Sequence, residues 1–303
     1  MFSLLLALAT VATAGNSKKK KKEEEKQGYQ FTELKRLPAT SVKSQDRAGT
    51  CWSWSTISFL ESEMMRLGKD SVSLAPMYIV WNTYNEKADK YVRMHGCMNF
   101  AQGGASADVN WAIKNYGIVP LEIYSGLNYG ENIHAHAELD GVLGAYLKVI
   151  VSNPNKKLST AWKKGFDGIL DAYLGAKPEK FTFRGKEYTP MSFYQSTGLN
   201  MDDYISLTSF THHPFYTKFA LEVPDNWIGE ESYNLPLDEL MEVLDKAIDN
   251  GYTFSWGSDV SEIGFLRDGI AIVPDMENTE TSDAEIATVS YTHLRAHETS
   301  AHL

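Results

Sequence analysis

The chain has 303 residues, of which 43% are hydrophobic and 22% are charged, a balance typical of a soluble globular protein rather than a membrane protein. The formal net charge is −10. A basic block near the amino terminus contributes a net +3 and the last fifteen residues are neutral, so the remainder carries about −13 and would repel nucleic acid. Only two cysteines occur, Cys51 and Cys97, which excludes a disulfide framework and leaves at most one bridge open.

The first fourteen residues, MFSLLLALATVATA, form a short apolar stretch that ends in a small-x-small pattern of the kind cleaved by signal peptidase. We interpret residues 1–14 as a signal peptide and expect an exported protein, periplasmic or secreted, without membrane contact in its mature form. No Lys or Arg precedes the apolar run, so a start further upstream and a disordered apolar terminus remain the alternatives. Fourteen residues cannot span a bilayer as a helix.

The next segment, residues 15–27, contains the block KKKKKEEEK, which has no apolar side chain to bury. We predict a solvated charged linker there. From residue 28 to residue 288 the composition is uniform, without repeats or a Pro/Ser-rich stretch, which indicates one domain.

Apolar residues at helical spacing, followed by Gly68, predict a helix from about residue 51 to residue 67. Similar patterns predict helices over residues 106–116, 137–151, 162–174 and 237–250. Short strands are predicted over residues 29–34, 181–183, 219–223, 252–256 and 270–273, and turns over 188–190 and 213–214. Because helices and strands do not alternate regularly, the pattern favours an α+β fold over a doubly wound sheet.

The first predicted helix places Cys51 at its amino-terminal turn, in the stretch QDRAGTCWSWS. A cysteine is nucleophilic only as its thiolate, which the unpaired N–H groups and the dipole of a helix N-terminus stabilise. Acyl transfer also needs donors for a developing oxyanion, and the Gln45 side chain and the Cys51 amide can supply two. The alternative is that Cys51 and Trp52 are core residues beneath a helix.

The pattern Gln-x5-Cys-Trp, with small residues before Cys51 and Ser-x-Ser after Trp52, resembles the active-site segment of papain-like cysteine peptidases. Gly103 and Gly104, in AQGGASADVNWA, resemble the paired glycines of that family, where a second backbone approaches closely. The resemblance covers about residues 29–275 and points to the bleomycin hydrolase and bacterial aminopeptidase C branch. The further segments that carry it are NYGIVPLEIYSG, YVRMHG, AWKKG, SLTSFTHHPFY and GYTFSWGSDVSE.

The resemblance implies a papain-like fold of a helical and a barrel-like lobe, with a helical insertion over much of residues 128–234. It also implies thiol-dependent removal of residues from peptide N-termini, a peptide substrate and no cofactor, while a homo-oligomer is left open. The residues that the resemblance assigns are the nucleophile Cys51, the oxyanion donor Gln45 and the substrate contacts Gly103, Gly104 and Trp52. Asp259 follows a predicted strand and would line the cleft, an ordinary exposed carboxylate being the equal alternative.

The catalytic histidine of the resembled family, and the asparagine that orients it, lie in segments that this chain does not contain. The late histidines His293, His297 and His302 have flanks unlike the family pattern. Residues 289–299, VSYTHLRAHET, look like the translation of a sequencing adapter, so we interpret residues 289–303 as a non-native tail. We therefore expect a C-terminally truncated peptidase, with an incomplete second lobe, exposed apolar surface and little turnover.

Two alternatives stay open. One is a non-catalytic, peptide-binding relative with the same fold. The other is a metal-dependent hydrolase that uses His134, His136, His212 and His213. Alternate positions such as 134 and 136 do not share a helix face and Pro214 makes the second pair a turn, so we favour ordinary histidines and no metal. Cys97 is interpreted as a packed or loop thiol.

Overall fold

The computed structural model describes residues 32–258 and the backbone of residues 300–302. The chain divides into two compact units, Met1–Leu34 and Lys35–Leu303. In the first unit only residues 32–34 are described, and they are exposed and form no strand, unlike the prediction for residues 29–34. The predicted signal peptide, the charged linker, the strand at 270–273 and Asp259 lie outside the described residues.

Seven α-helices lie in the described part of the second unit. They are α1 (Cys51–Arg66), α2 (Pro76–Arg93), α3 (Ser106–Tyr116), α4 (Ala137–Val151), α5 (Trp162–Leu174), α6 (Pro190–Thr197) and α7 (Leu237–Asp249), with a 3-10 turn at Met201–Asp203. The bounds predicted for α3, α4 and α5 are confirmed, and α1 and α7 each end one residue earlier than predicted. None of the helices in the described residues is long and apolar enough to cross a membrane.

The strands are β1 (Phe181–Phe183), β2 (Lys186–Tyr188), β3 (Ser206–Thr208), β4 (Lys218–Ala220), β5 (Glu231–Asn234), β6 (Ser255–Gly257) and β7 (Ser300–His302). The first two form an antiparallel hairpin. The others form one sheet in the order β4-β5-β3-β7-β6, in which β3 and β5 are parallel and the remaining pairs are antiparallel. This mixture confirms the α+β class, while the non-native origin of residues 289–303 stays a prediction.

Helix α2 was not predicted: its first half, residues 76–84, is buried on all sides and so shows no apolar stripe, and a stripe is present only in its second half. It packs against α1, α3, α4 and α5. Its core-facing side chains include Ile79 and Tyr84, which are almost completely inaccessible. Helix α6 was not predicted either, because its start was interpreted as a turn at residues 188–190. Thr189 is the N-cap of this helix, and its Oγ1 accepts a hydrogen bond of 3.1 Å from Ser192 N.

Candidate active site

Cys51 is the first residue of α1, and its side chain is exposed. The preceding residue, Thr50, is the N-cap and is fully buried; its carbonyl oxygen accepts hydrogen bonds from Ser53 N at 3.0 Å and Trp54 N at 3.3 Å. The backbone N–H of Cys51 has no hydrogen-bond partner among the described residues, as expected for the first turn of a helix. An accessible thiol therefore stands beside a free backbone donor, and these are two of the groups that acyl transfer requires.

Gln45 folds back over the turn that leads to this thiol. Its Nε2 donates a hydrogen bond of 2.9 Å to Ala48 O, and Ala48 N donates one of 3.3 Å to Gln45 O. The amide of Gln45 is thus fixed close to the start of α1, with its second N–H uncommitted among the described residues. The role of this N–H as an oxyanion donor stays a prediction.

The same turn is pinned to the segment that precedes α4. Arg47 N donates to His134 O at 2.8 Å, and Asp46 Oδ2 accepts from His134 N at 3.0 Å. This hydrogen bond lowers the pKa of the Asp46 carboxyl below its usual range. Asp46 also has a positive φ of 54°, so its attachment to His134 holds a backbone conformation that few residues adopt unaided.

A glutamine that the sequence did not single out joins the Cys51 turn to the paired glycines. Gln102 Oε1 accepts a hydrogen bond of 2.7 Å from Gly49 N, and Gln102 O accepts one of 3.0 Å from Trp52 Nε1. A Cβ added to Gly49 would lie only 3.0 Å from the Cβ of Gln102. The two segments are therefore in direct contact on both sides of Cys51.

The paired glycines rest on a buried charged cluster. Lys87 Nζ donates hydrogen bonds to Gly103 O at 2.7 Å and Ala101 O at 3.0 Å, and the lysine is fully buried. Asp108 is also fully buried, and its Oδ2 accepts from Ala105 N at 2.9 Å. Burial lowers the pKa of Lys87 and raises that of Asp108 to about 7, and each charge partly offsets the other's shift.

Glycine is required at position 104 by the space around it. A Cβ there would lie 2.7 Å from Asp108 Oδ2 and 2.8 Å from the indole ring of Trp52. Trp52 is buried, so its ring forms the wall between Gly104 and the start of α1. The structure thus brings five predicted site residues into one region: Gln45, Cys51, Trp52, Gly103 and Gly104. The fold also places β6 next to this region, since Ser255 Oγ lies 3.3 Å from Thr56 Oγ1 in α1 and 3.1 Å from Ser106 Oγ in α3.

No histidine of the described residues lies within hydrogen-bonding distance of Cys51. His134 and His136 are buried with their rings 5.8 Å apart, and burial lowers the pKa of His136 to about 4. Both precede α4 rather than lie within it, so the argument from helix faces does not apply to them. Cys97, which follows α2, is a free and exposed thiol. Cys51, at the start of α1, is also free and exposed, and no disulfide bridge joins the two.

Among the described residues, one group could hold a metal ion: His212, His213 and Glu222. Each histidine Nε2 lies 3.6 Å from Glu222 Oε2, and the group is largely exposed. Two imidazoles and a carboxylate are a ligand set that zinc accepts. The His212-His213 pair lies in a turn, as predicted, and the group includes neither His134 nor His136.

Three comparisons with known proteins bear on this arrangement. A model of the peptidase C1-like family matches residues 4–301. The chain is 23% identical to aminopeptidase C of Streptococcus thermophilus, with 82% of this chain and 65% of the relative covered. It is 24% identical to aminopeptidase G of Lactobacillus delbrueckii subsp. lactis, with 81% of this chain and 66% of the relative covered. The chain therefore spans just under two thirds of the length of these relatives.

A solved structure shares the fold. The crystal structure of PepW from Lactobacillus rhamnosis HN001 aligns with a TM-score of 0.64 at 21% sequence identity. The alignment covers 84% of this chain and 68% of PepW. At this identity the similarity concerns the architecture alone.

Proposed function

Since the chain belongs to the peptidase C1-like family, we propose that it is a thiol-dependent peptidase whose nucleophile is Cys51. The papain-like α+β fold expected from the sequence is confirmed by the family match and by the similarity to PepW. The observation that carries the proposal is the exposed thiol at the first residue of α1, next to a backbone N–H without a partner among the described residues. We further propose aminopeptidase specificity, which the names of the two relatives support.

In the proposed reaction the Cys51 thiolate attacks the carbonyl carbon of the scissile amide. The negative charge that develops on the carbonyl oxygen is stabilised by the Cys51 N–H and by the free N–H of Gln45. The carbon–nitrogen bond breaks once the nitrogen has accepted a proton, which leaves a thioester on Cys51. Water then hydrolyses the thioester and releases the acid. The backbone of Gly103 and Gly104 would align the substrate chain beside Trp52.

Protonation of the leaving amine is the step for which the described residues offer no histidine. We therefore propose that this chain cleaves amides slowly, even though its thiol can be acylated. The same observation supports a second candidate function, a relative that binds peptides in the cleft without cleaving them. The two differ in covalent chemistry, because only the peptidase forms a thioester with a reactive substrate.

Affinity labelling tests the proposed nucleophile. An epoxysuccinyl peptide binds in a peptide-binding cleft, where its epoxide alkylates a neighbouring thiolate. Cys97 serves as an internal control, because it too is exposed and free. We expect Cys51 to be labelled on the order of ten times faster than Cys97, as measured by peptide mapping. Equal rates at the two cysteines, or faster labelling of Cys97, would contradict a peptidase site at Cys51.

We also propose that residues 1–14 direct export of the protein. Expression of the full chain in a bacterium, followed by fractionation and amino-terminal sequencing, tests this proposal. A mature protein that starts at Gly15 outside the cytoplasm supports export, and an intact amino terminus inside the cytoplasm contradicts it.

A further inference from the structure

The carboxylate of Asp225 lies directly against Gly103. A Cβ added to Gly103 would be 2.2 Å from Asp225 Oδ2 and 2.4 Å from Oδ1, so the carboxylate fills the space beside this glycine. Both neighbours of Gly103 contact the Cys51 region: Gln102 through Gly49 N, and Gly104 through the space against Trp52. Asp225 therefore lies against the paired glycines, whose adjoining residue Gln102 contacts the chain on both sides of Cys51.

The loop that carries Asp225 is held on both sides of it. Asn226 closes the loop, since its Nδ2 donates to Leu221 O and to Glu230 O at 3.0 Å each, and its Oδ1 accepts from Glu230 N at 2.9 Å. Trp227 is buried and packs edge-on against Trp111 of α3, with ring centroids 5.7 Å apart. The position of the Asp225 carboxylate is thus set by neighbours that are themselves fixed.

The Asp225 carboxylate has no direct hydrogen-bond or ion-pair partner among the described residues, although the charge of Lys87 acts on it from nearby. Lys87 donates its hydrogen bonds to the carbonyls of Ala101 and Gly103. Asp108, fully buried beneath Gly104, has its Oδ1 without a partner among the described residues. Three carboxylates, Asp108, Asp140 and Asp225, interact with this single lysine, so this end of the cleft favours an added positive charge.

We propose that Asp225 binds the free α-ammonium group of the peptide substrate, and so supplies the amino-end selectivity of the peptidase proposed above, on which this inference rests. The carboxylate lies on Gly103 beside the paired glycines, where a substrate chain extended along them from Cys51 would have its amino end. The ammonium group would form a charge-assisted hydrogen bond with Oδ1 or Oδ2. A substrate that continued further on its amino side would meet the carboxylate and the loop behind it.

Labelling of Cys51 tests the proposal without requiring turnover. Aminoacyl and dipeptidyl chloromethyl ketones, each with a free or an N-acetylated amino end, alkylate a thiolate, which displaces chloride and forms a thioether. Rates are measured for the parent chain, for Asp225→Asn, and for Glu222→Gln, which removes a carboxylate from the same loop away from Gly103. Iodoacetamide, which has no amino end, reports the intrinsic reactivity of the thiol in each variant.

We expect the parent chain and Glu222→Gln to prefer the free amino end, and Asp225→Asn to reduce this preference about tenfold for at least one of the two lengths. The rate with iodoacetamide should be the same in all three proteins. An unchanged preference in Asp225→Asn at both lengths overturns the role of Asp225 while leaving the peptidase proposal intact. If iodoacetamide reacts with Cys51 but none of the ketones labels it faster than Cys97, the peptidase proposal fails, and this inference with it.

Discussion

The backbone N–H of Gly49 donates a hydrogen bond of 2.7 Å to the side-chain oxygen of Gln102, which lies 53 positions further along the chain. This bond ties the turn before Cys51 to the segment that ends in the paired glycines. Because Gln102 O also accepts from Trp52 Nε1, one residue fixes both the approach to α1 and its first turn. The spacing between Cys51, the proposed nucleophile, and the paired glycines thus depends on Gln102, a residue that belongs to neither sequence motif.

Replacement of Gln102 by leucine should loosen this connection. The Gly49 N–H would lose its acceptor, so we expect the free energy of unfolding to fall by about 1 kcal/mol and the labelling of Cys51 by an epoxysuccinyl peptide to slow. Urea denaturation and peptide mapping measure the two effects. Gln195→Leu, at an exposed position of α6, is the matched control. If both variants lose the same stability and label alike, Gln102 does not organise the site.

Lys87 should be needed for the buried charge cluster. At pH 8, where the folded-state pKa of about 7 leaves the Asp108 carboxyl mostly ionised, Lys87→Met removes the donor to Gly103 O and the positive charge beside Asp108, so we expect a loss of about 3 kcal/mol in the free energy of unfolding. Asp108→Asn keeps an oxygen for Ala105 N but removes the charge. The double variant should therefore recover part of the loss, which a double-mutant cycle by urea denaturation measures. Strictly additive losses would show that the two residues are not coupled.

His136 should make the protein more stable at pH 7 than at pH 5. Burial lowers its pKa to about 4, so between about pH 4 and 6.5 the unfolded chain binds the proton more readily, and stability is lost as the pH falls. His136→Gln should reduce the difference in unfolding free energy, pH 7 minus pH 5, by about 2 kcal/mol. Gln195→Leu, which changes no titratable group, is the control and should keep the parental difference. An unchanged difference in His136→Gln would argue against a neutral, buried imidazole.

Asp108 should act in the opposite direction over the same range. Its pKa is raised to about 7, so the folded protein holds a proton that the unfolded chain releases near pH 4, and stability is lost as the pH rises towards 7. Asp108→Asn should therefore increase the same difference, pH 7 minus pH 5, by about 2 kcal/mol. In the parent the two contributions largely cancel. A shift of the same sign in the variants of both residues would contradict this account.

The space at Gly104 predicts a contrast between two glycine substitutions. In Gly104→Ala the new Cβ would meet the buried Trp52 ring and Asp108, so we expect a loss of at least 2 kcal/mol in the free energy of unfolding. Gly168→Ala lies on an exposed face of α5, where a Cβ meets nothing within 4 Å, and should gain about 0.5 to 1 kcal/mol. Thermal and urea denaturation of both variants check this. A neutral Gly104→Ala would show that the close contact with Trp52 is not maintained.

Local patterns in the sequence predicted much of this fold, because α3, α4 and α5 each bury one face and end at a recognisable residue. They failed where tertiary contacts decide the outcome. The first half of α2 is buried on all sides among other helices, and its Lys87 resembles an ordinary surface lysine until the fold buries it. The contact of Asp225 with Gly103 could not be predicted from the sequence either, since no local pattern indicates that the loop of Asp225 reaches a glycine 122 positions earlier.

Acylation of Cys51 by an activated ester is the most direct test of the proposed nucleophile. The p-nitrophenyl ester of an amino acid releases nitrophenolate, which leaves without being protonated, so the reaction does not depend on a histidine that protonates the leaving group. We predict a burst of one equivalent of nitrophenolate and a thioester on Cys51 in mass spectra, both absent in Cys51→Ala and unchanged in Cys97→Ala. A burst that persists in Cys51→Ala, or no burst in the parent chain, would contradict the assignment of Cys51.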